Sequence, residues 1–196
     1  MGKDIENKLE IFKFQIYHVK LNFNTKHLTN FCLKLSKTSK GVTKSNRGGW
    51  QSPEIYNEYS LINQLKNKFI ENANIYIKEF KLSKDLKFTN LWINVNKYRD
   101  YNSIHDHPNS VISGVYYVKT FKNSGMLRFI NPLADCMGKS FRDQISEFNP
   151  NNSSVWDICP EDNLLVLFPS FLKHEVLPNL NKNKRISISF NIDILR

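Results

Sequence analysis

The sequence predicts a mainly β chain with helices toward its N-terminal side, folded as a jelly-roll-like β core backed by those helices. Two observations carry that prediction. From Phe88 onward the chain breaks into short strand-like runs, at 88–97, 111–119, 126–130, 153–158, 163–168, 173–177 and 184–194. Ahead of them, at 58–80, lies its strongest helical periodicity. A length of 196 residues suits one domain with a modest helical elaboration. The expected organisation is therefore one domain over 1–196, with helical support at 20–87 and the β core at 88–196.

The opening run 11–20 (IFKFQIYHVK) alternates apolar and polar residues over part of its length, as a strand does. Residues 26–38 suit a short helix with Leu28, Phe31, Cys32 and Leu35 on one face. The polar, glycine-bearing stretch 37–54 is expected to be a loop. Its Trp50 is either pinned to the core or lines a substrate entrance. In 58–80, Leu61, Leu65, Ile70, Ile75 and Phe80 recur at near-helical spacing, and Ser60 stands where it can cap. Pro108-Asn109, Asn123-Ser124-Gly125 and Pro178-Asn179 supply turns between the later strands. Residues 131–152 show little periodicity, which inside a compact domain marks a lid or binding loop. With Trp50 and Trp92, that loop is a candidate substrate contact.

Composition narrows the class. Hydrophobic residues at 40% and aromatics at 13% exclude a disordered chain. The three cysteines, Cys32, Cys136 and Cys159, form no CxxC pair and support neither a disulfide framework nor a cysteine zinc site. No apolar run is long enough to span a bilayer, the start lacks a signal-peptide core, and Glu6 spoils a myristoylation site. A cytoplasmic protein without a membrane partner is expected. The net charge of +10 leaves a nucleic-acid partner open without favouring it. The lysines are scattered through a chain rich in Lys, Asn and Ile, and solvated faces account for them more simply.

Three of the five histidines stand apart. His18 and His27 have no ligand-like neighbours and are expected to be structural. His105 and His107 are two residues apart, so on a strand both rings share a face. Paired imidazoles facing inward need polar partners, and a shared metal ion supplies one. His174 follows in FPSFLKHEVLP, giving a pair from one strand and a third ligand from a distant one. Such a facial set leaves open positions on an iron. Arg185 begins RISISFN, where Arg185, Ser187 and Ser189 alternate with Ile186, Ile188 and Phe190. An inward-facing guanidinium needs an anion, and its fork matches a carboxylate.

The ordered motifs HxHPxSxxSGVYYV, SGxLxFxNP, LxxFPSxLxHEVxPN and RISISFN resemble the 2-oxoglutarate–iron(II) oxygenases of the prolyl-hydroxylase-like superfamily. The resemblance runs from about Trp92 to the C-terminus. It implies a double-stranded β-helix of the jelly-roll, cupin-like kind, with iron(II) in its mouth. It also implies a dioxygenase that hydroxylates its substrate with dioxygen and releases succinate and CO2. By position, His105 and His174 take the two histidine ligand places, and Arg185 meets the distal carboxylate of 2-oxoglutarate. Tyr117 falls beside that carboxylate and Ser187 where some relatives supply a hydroxyl. Asn94 and Asn96 share a face on the preceding strand and are candidates to touch cosubstrate or substrate; ladder-facing polar residues are the alternative.

One departure matters. The superfamily usually carries HxD or HxE, and here His107 stands at the third position. Three neutral ligands leave more positive charge on the metal. The rival ligand, Asp106, points away from His105 on a regular strand and would need a bulge to reach the metal. Two other functions stay open: a three-histidine cupin-type dioxygenase that does not use 2-oxoglutarate, and a non-catalytic basic binding module.

Overall fold

The computed structural model describes residues 14–55, 59–81 and 85–195. In chain order the elements are β1 (Tyr17–Lys20), α1 (Thr25–Thr38), β2 (Asn46–Arg47), β3 (Trp50–Gln51) and α2 (Ser60–Ile77), the last running into a 3₁₀ turn at Lys78–Phe80. Then come β4 (Leu86–Asn96), β5 (Tyr101–His105), β6 (Ile112–Lys119), β7 (Leu127–Ile130), a short α3 (Lys139–Asp143), β8 (Val155–Ile158), β9 (Leu164–Pro169), β10 (His174–Val176) and β11 (Arg185–Ile194). A six-stranded sheet in the order β1-β9-β6-β11-β4-β3 faces a five-stranded sheet in the order β2-β5-β10-β7-β8. Every strand pair is antiparallel. The expected mainly β fold with helices before the core is what forms.

The six-stranded sheet is buried on both faces through its central strands β9, β6 and β11. Its outer face sends Ile186, Ile188 and Phe190 from β11, and Ile112 and Tyr116 from β6, into a core shared with Leu28 and Cys32 of α1 and Leu65 and Phe69 of α2. Phe190 stacks on Phe69 with ring centroids 4.4 Å apart. Gly114 makes room for it, since a Cβ there would lie 2.2 Å from the Phe190 ring. The inner face sends Val115, Tyr117, Val166 and Phe168 toward Leu127 and Phe129 of the smaller sheet, forming a second core cluster. α1 is capped by the Asn24 side chain, which accepts from the Lys26 backbone N–H at 3.1 Å.

Several local expectations need correction. The opening strand forms only at Tyr17–Lys20, and residues 11–13 lie outside the described residues. Ser60 does not cap α2: it is the first helical residue, Tyr59 is the N-cap, and no side chain caps there. The buried face of α2 is Ile62, Leu65, Phe69, Ala73 and Tyr76, while Ile75 and Phe80 are exposed. A spacing dominated by Ile and Leu overlooked the aromatic and alanine positions that meet the sheet. The segment 20–87 is not purely helical either, because β2 and β3 form within the expected loop and join the two sheets. Gly48, at φ +82°, makes the tight turn between them. All three cysteines are free, and no helix among the described residues is long and apolar enough to cross a membrane.

Candidate metal and anion site

The register of two short strands places the first pair of histidines. β5 and β10 run antiparallel with His105 opposite His174, and their ring centroids are 4.3 Å apart. His107 lies beyond the end of β5, where its backbone N–H donates to the Ser170 carbonyl at 2.9 Å. The expectation that His105 and His107 share one face of a continuous strand is thus corrected: the chain leaves the sheet after His105. The turn still brings the His107 ring to 5.0 Å from His105 and 5.3 Å from His174, centroid to centroid. One ring nitrogen from each histidine lies within 4.8 Å of the others, so the three could hold one metal ion. Asp106 is not part of this cluster and lines the cleft outside it.

Backbone carbonyls set two of the tautomers. A carbonyl only accepts, so His105 donates Nδ1–H to Ser103 O at 2.7 Å, and His174 donates Nδ1–H to Leu172 O at 2.9 Å. Both Nε2 atoms then carry a lone pair that can ligate, the arrangement common at metal-binding histidines, with the Ser45 hydroxyl a long 3.4 Å from that of His105. Burial, with the neighbouring imidazoles, pushes His107 down to about 4 and His174 down to about 3; burial also lowers His105. All three are neutral at pH 7, as ligation requires.

The floor of the same pocket is built by the inner face of the six-stranded sheet. β11 lies between β4 and β6, which sets Arg185 opposite Asn96 and Ser187 opposite both Asn94 and Tyr117. Arg185 is 1% exposed, and among the described residues it has no carboxylate partner. Its Nη1 donates to the carbonyls of Ser124 (2.5 Å), Leu177 (3.3 Å) and Gly125 (3.4 Å). Gly125, at φ +88°, permits this approach: a Cβ there would meet Leu177 O at 2.1 Å and Arg185 Nη1 at 2.6 Å. Burial lowers the affinity of Arg185 for its proton, partly offset by Tyr117 and Asp100.

Four buried side-chain polar atoms among the described residues lack a hydrogen-bond partner, and three of them belong to this pocket: Tyr117 OH, Asn94 Oδ1 and Asn96 Oδ1. Asn94 Nδ2 donates to Ser189 Oγ at 3.1 Å. Burial pushes the Tyr117 phenol up to about 12, against the Arg185 charge, so it is a neutral donor. A buried cation without a counter-charge beside an unpartnered hydroxyl is costly unless an anion binds there. The donor set therefore fits a carboxylate, as the histidine set fits a divalent first-row ion.

The sequence-derived residues His105, His107, His174, Arg185, Tyr117, Ser187, Asn94 and Asn96 all line this one pocket. Sequence reasoning missed Ser45, whose Oγ is 3.4 Å from His105 Nε2, and Asn102, whose Nδ2 donates to Ser45 Oγ at 3.1 Å. Both sit where two-residue β2 meets β5, a contact with no periodic signature. Trp92 lines the pocket and the cleft beyond it. Trp50 does neither; it donates Nε1–H to Ser39 O at 3.1 Å and packs on the helical side. The irregular stretch 131–152 also lies elsewhere, lining two surface hollows away from the histidines.

A family model described as "Putative 2OG-Fe(II) oxygenase" matches residues 90–191, just over half of the chain. The chain belongs to the 2OG-Fe(II) oxygenase family. The matched span holds every one of those eight residues. No curated protein sequence matches this oxygenase. Solved structures do. A Pseudomonas putida prolyl-4-hydroxylase superposes with a TM-score of 0.67 at 14% identity, covering 92% of this chain and 93% of its own. A viral collagen prolyl hydroxylase from Paramecium Bursaria Chlorella virus-1, solved with 2-oxoglutarate, gives 0.61 at 14% identity over 92% and 96%. A prolyl hydroxylase from Trichoplax adhaerens, solved with a peptide fragment of hypoxia inducible factor, gives 0.60 at 13% over 91% and 83%. Identities this low establish the shared fold of the oxygenase, a double-stranded β-helix, and nothing finer.

Proposed function

We propose that this protein is a catalytically active, non-haem iron(II), 2-oxoglutarate-dependent dioxygenase that hydroxylates a substrate reaching the histidines through the cleft beside Trp92. The observation that carries the reading is Arg185, a fully buried guanidinium without a carboxylate partner, on the floor of a pocket roofed by three neutral imidazoles. A direct three-histidine dioxygenase has no use for that cation. His105, His107 and His174 would hold the iron through neutral ring nitrogens. Arg185 and the Tyr117 hydroxyl would take the distal carboxylate of 2-oxoglutarate, with Ser187 beside them. Asn94 and Asn96 would bond whatever lies against β4. Iron(II) and 2-oxoglutarate, when bound, would supply the oxidising power, with succinate and CO2 as the products of the cosubstrate and a hydroxyl in place of a substrate hydrogen.

The chain's own part is geometric and electrostatic. The β5–β10 register fixes two imidazoles, the Ser103 and Leu172 carbonyls hold their tautomers, and three backbone carbonyls orient the guanidinium. Low local polarity strengthens each contact the anion would make. One domain over 1–196, with 20–87 as support and 88–196 as β core, is the working unit of this reading.

The test is succinate formation from 2-oxoglutarate by purified protein with iron(II) and ascorbate in air, followed in wild type and Arg185→Ala. The proposal expects slow, iron-dependent succinate release that Arg185→Ala lowers at least tenfold. Iron uptake with no succinate would favour the three-histidine dioxygenase, and no iron uptake would favour a non-catalytic binding module.

A further inference from the structure

At the end of the barrel away from the cleft, three loops meet. The cleft is lined by Asn90 and Asn191, partway along the paired strands β4 and β11, and by His105 at the end of β5. The loops follow or precede the end of the β4–β11 pair where Asn96 meets Arg185. They are residues 97–100, 120–126 and 177–184. Hydrogen bonds tie them together: Arg99 N–H to Asn179 O (2.7 Å), Asn179 N–H to Asp100 O (3.0 Å), Leu180 N–H to Asn123 O (2.8 Å) and Asn181 Nδ2 to Lys122 O (3.0 Å). The β2–β3 turn joins them, since a Cβ on Gly48 would touch Asp100 Oδ1 at 2.3 Å.

This end carries Arg47, Lys97, Arg99, Lys122, Lys182 and Lys184, and among the described residues none of the six makes an ion pair. The one acid of the three loops, Asp100, accepts the Lys97 backbone N–H at 2.6 Å instead. Glu161 and Asp162, which line a hollow with Lys122, are taken by Lys20 and Lys119. Elsewhere basic side chains do find carboxylates, as Arg128 does with Asp157 and Lys139 with Asp143. Two aromatic rings stand among the cations: Tyr98 is 49% exposed and Tyr101 38% exposed. The Arg99 guanidinium lies 5.3 Å from the Tyr98 ring centroid.

Unpaired cations alone describe a solvated basic face. Cations gathered from separate loops around exposed flat rings, outnumbering the single carboxylate Asp100 among them, describe a surface for phosphates and bases together. We propose that this end of the molecule binds single-stranded nucleic acid, with backbone phosphates on the six cations and bases stacked on Tyr98 and Tyr101. The proposal does not depend on the oxygenase reading, because none of the six cations or the two tyrosines lines the metal and anion pocket.

The test is fluorescence anisotropy of the full-length protein with a labelled oligothymidine of roughly a dozen nucleotides, a length matched to common single-strand sites. Binding should weaken steeply with salt. The triple variant Lys97→Gln, Arg99→Gln, Lys182→Gln should bind at least tenfold more weakly, with its log–log salt slope reduced by about 2. A control triple, Lys26→Gln, Lys34→Gln, Lys37→Gln, removes the same charge from exposed positions on α1 and should change binding less than twofold. Tyr98→Ala, which keeps every charge, should weaken binding severalfold. Equal losses in the two triples, no binding at low salt, or equally tight binding of anionic lipid vesicles would overturn the proposal. Thermal melts matching wild type establish that each variant is folded.

Discussion

On β11, Ile186, Ile188 and Phe190 point toward the helices while Arg185, Ser187 and Ser189 point toward the smaller sheet. Both faces are buried, but they are finished differently. The helix-side face is closed by side chains in contact, with Phe190 stacked on Phe69 and seated over Gly114. The inner face leaves a cation without a counter-ion and three polar atoms without partners. The contrast separates what folds the chain from what the chain is folded to present. One face gains stability from every residue; the other gives some up, as functional pockets do.

Truncating the packed face should have the largest effect. Phe190→Ala removes a fully buried ring from both α2 and β6 and should destabilise the protein by about 3–5 kcal/mol. Urea unfolding would measure this, and a loss under 1 kcal/mol would mean the helix-side core closes up around the gap. Acid should act next, and on the inner side alone. His107 and His174 sit at about 4 and about 3 when folded, below the ordinary 6.5. Between those values the unfolded chain binds protons that the folded chain refuses, so stability rises with pH across that window. Metal-free protein should lose on the order of 1–2 kcal/mol as pH falls from about 6.5 to 5.5. Melts at the two pH values that coincide would contradict the buried, neutral state of the histidines.

The smallest effect has the opposite sign. Tyr117→Phe deletes an unpartnered buried hydroxyl and should leave stability unchanged or raise it by about 1 kcal/mol. The same change should weaken 2-oxoglutarate binding by the iron-loaded protein severalfold, measured by calorimetry. A destabilised variant with unchanged binding would erase the distinction between the two faces.

Much of this was legible in the sequence where side chains alternate. The strand runs at 88–97, 111–119 and 184–194 correspond to β4, β6 and β11, because apolar and polar faces of a strand differ along its length. The histidines and Arg185 stood out since imidazoles and guanidinium are awkward inside a barrel without partners. What stayed hidden depends on short or irregular backbone. Two-residue β2 and β3 have no period to detect, so Ser45 and Trp50 could not be placed. His107 reaches the cluster from a turn and not from the strand its spacing implied. On α2, Phe69 and Tyr76 outrank Ile75 because the sheet they meet, not their hydrophobicity, decides which side is inside.

The most direct measurement is an anaerobic titration of iron(II) and then 2-oxoglutarate into metal-free protein, watched for the weak visible metal-to-ligand charge-transfer absorption. The account predicts that the band appears in wild type, is abolished by His174→Ala, and in Arg185→Ala requires at least tenfold more 2-oxoglutarate. Iron binding without the band, or a band that Arg185→Ala leaves at the wild-type concentration, would contradict it.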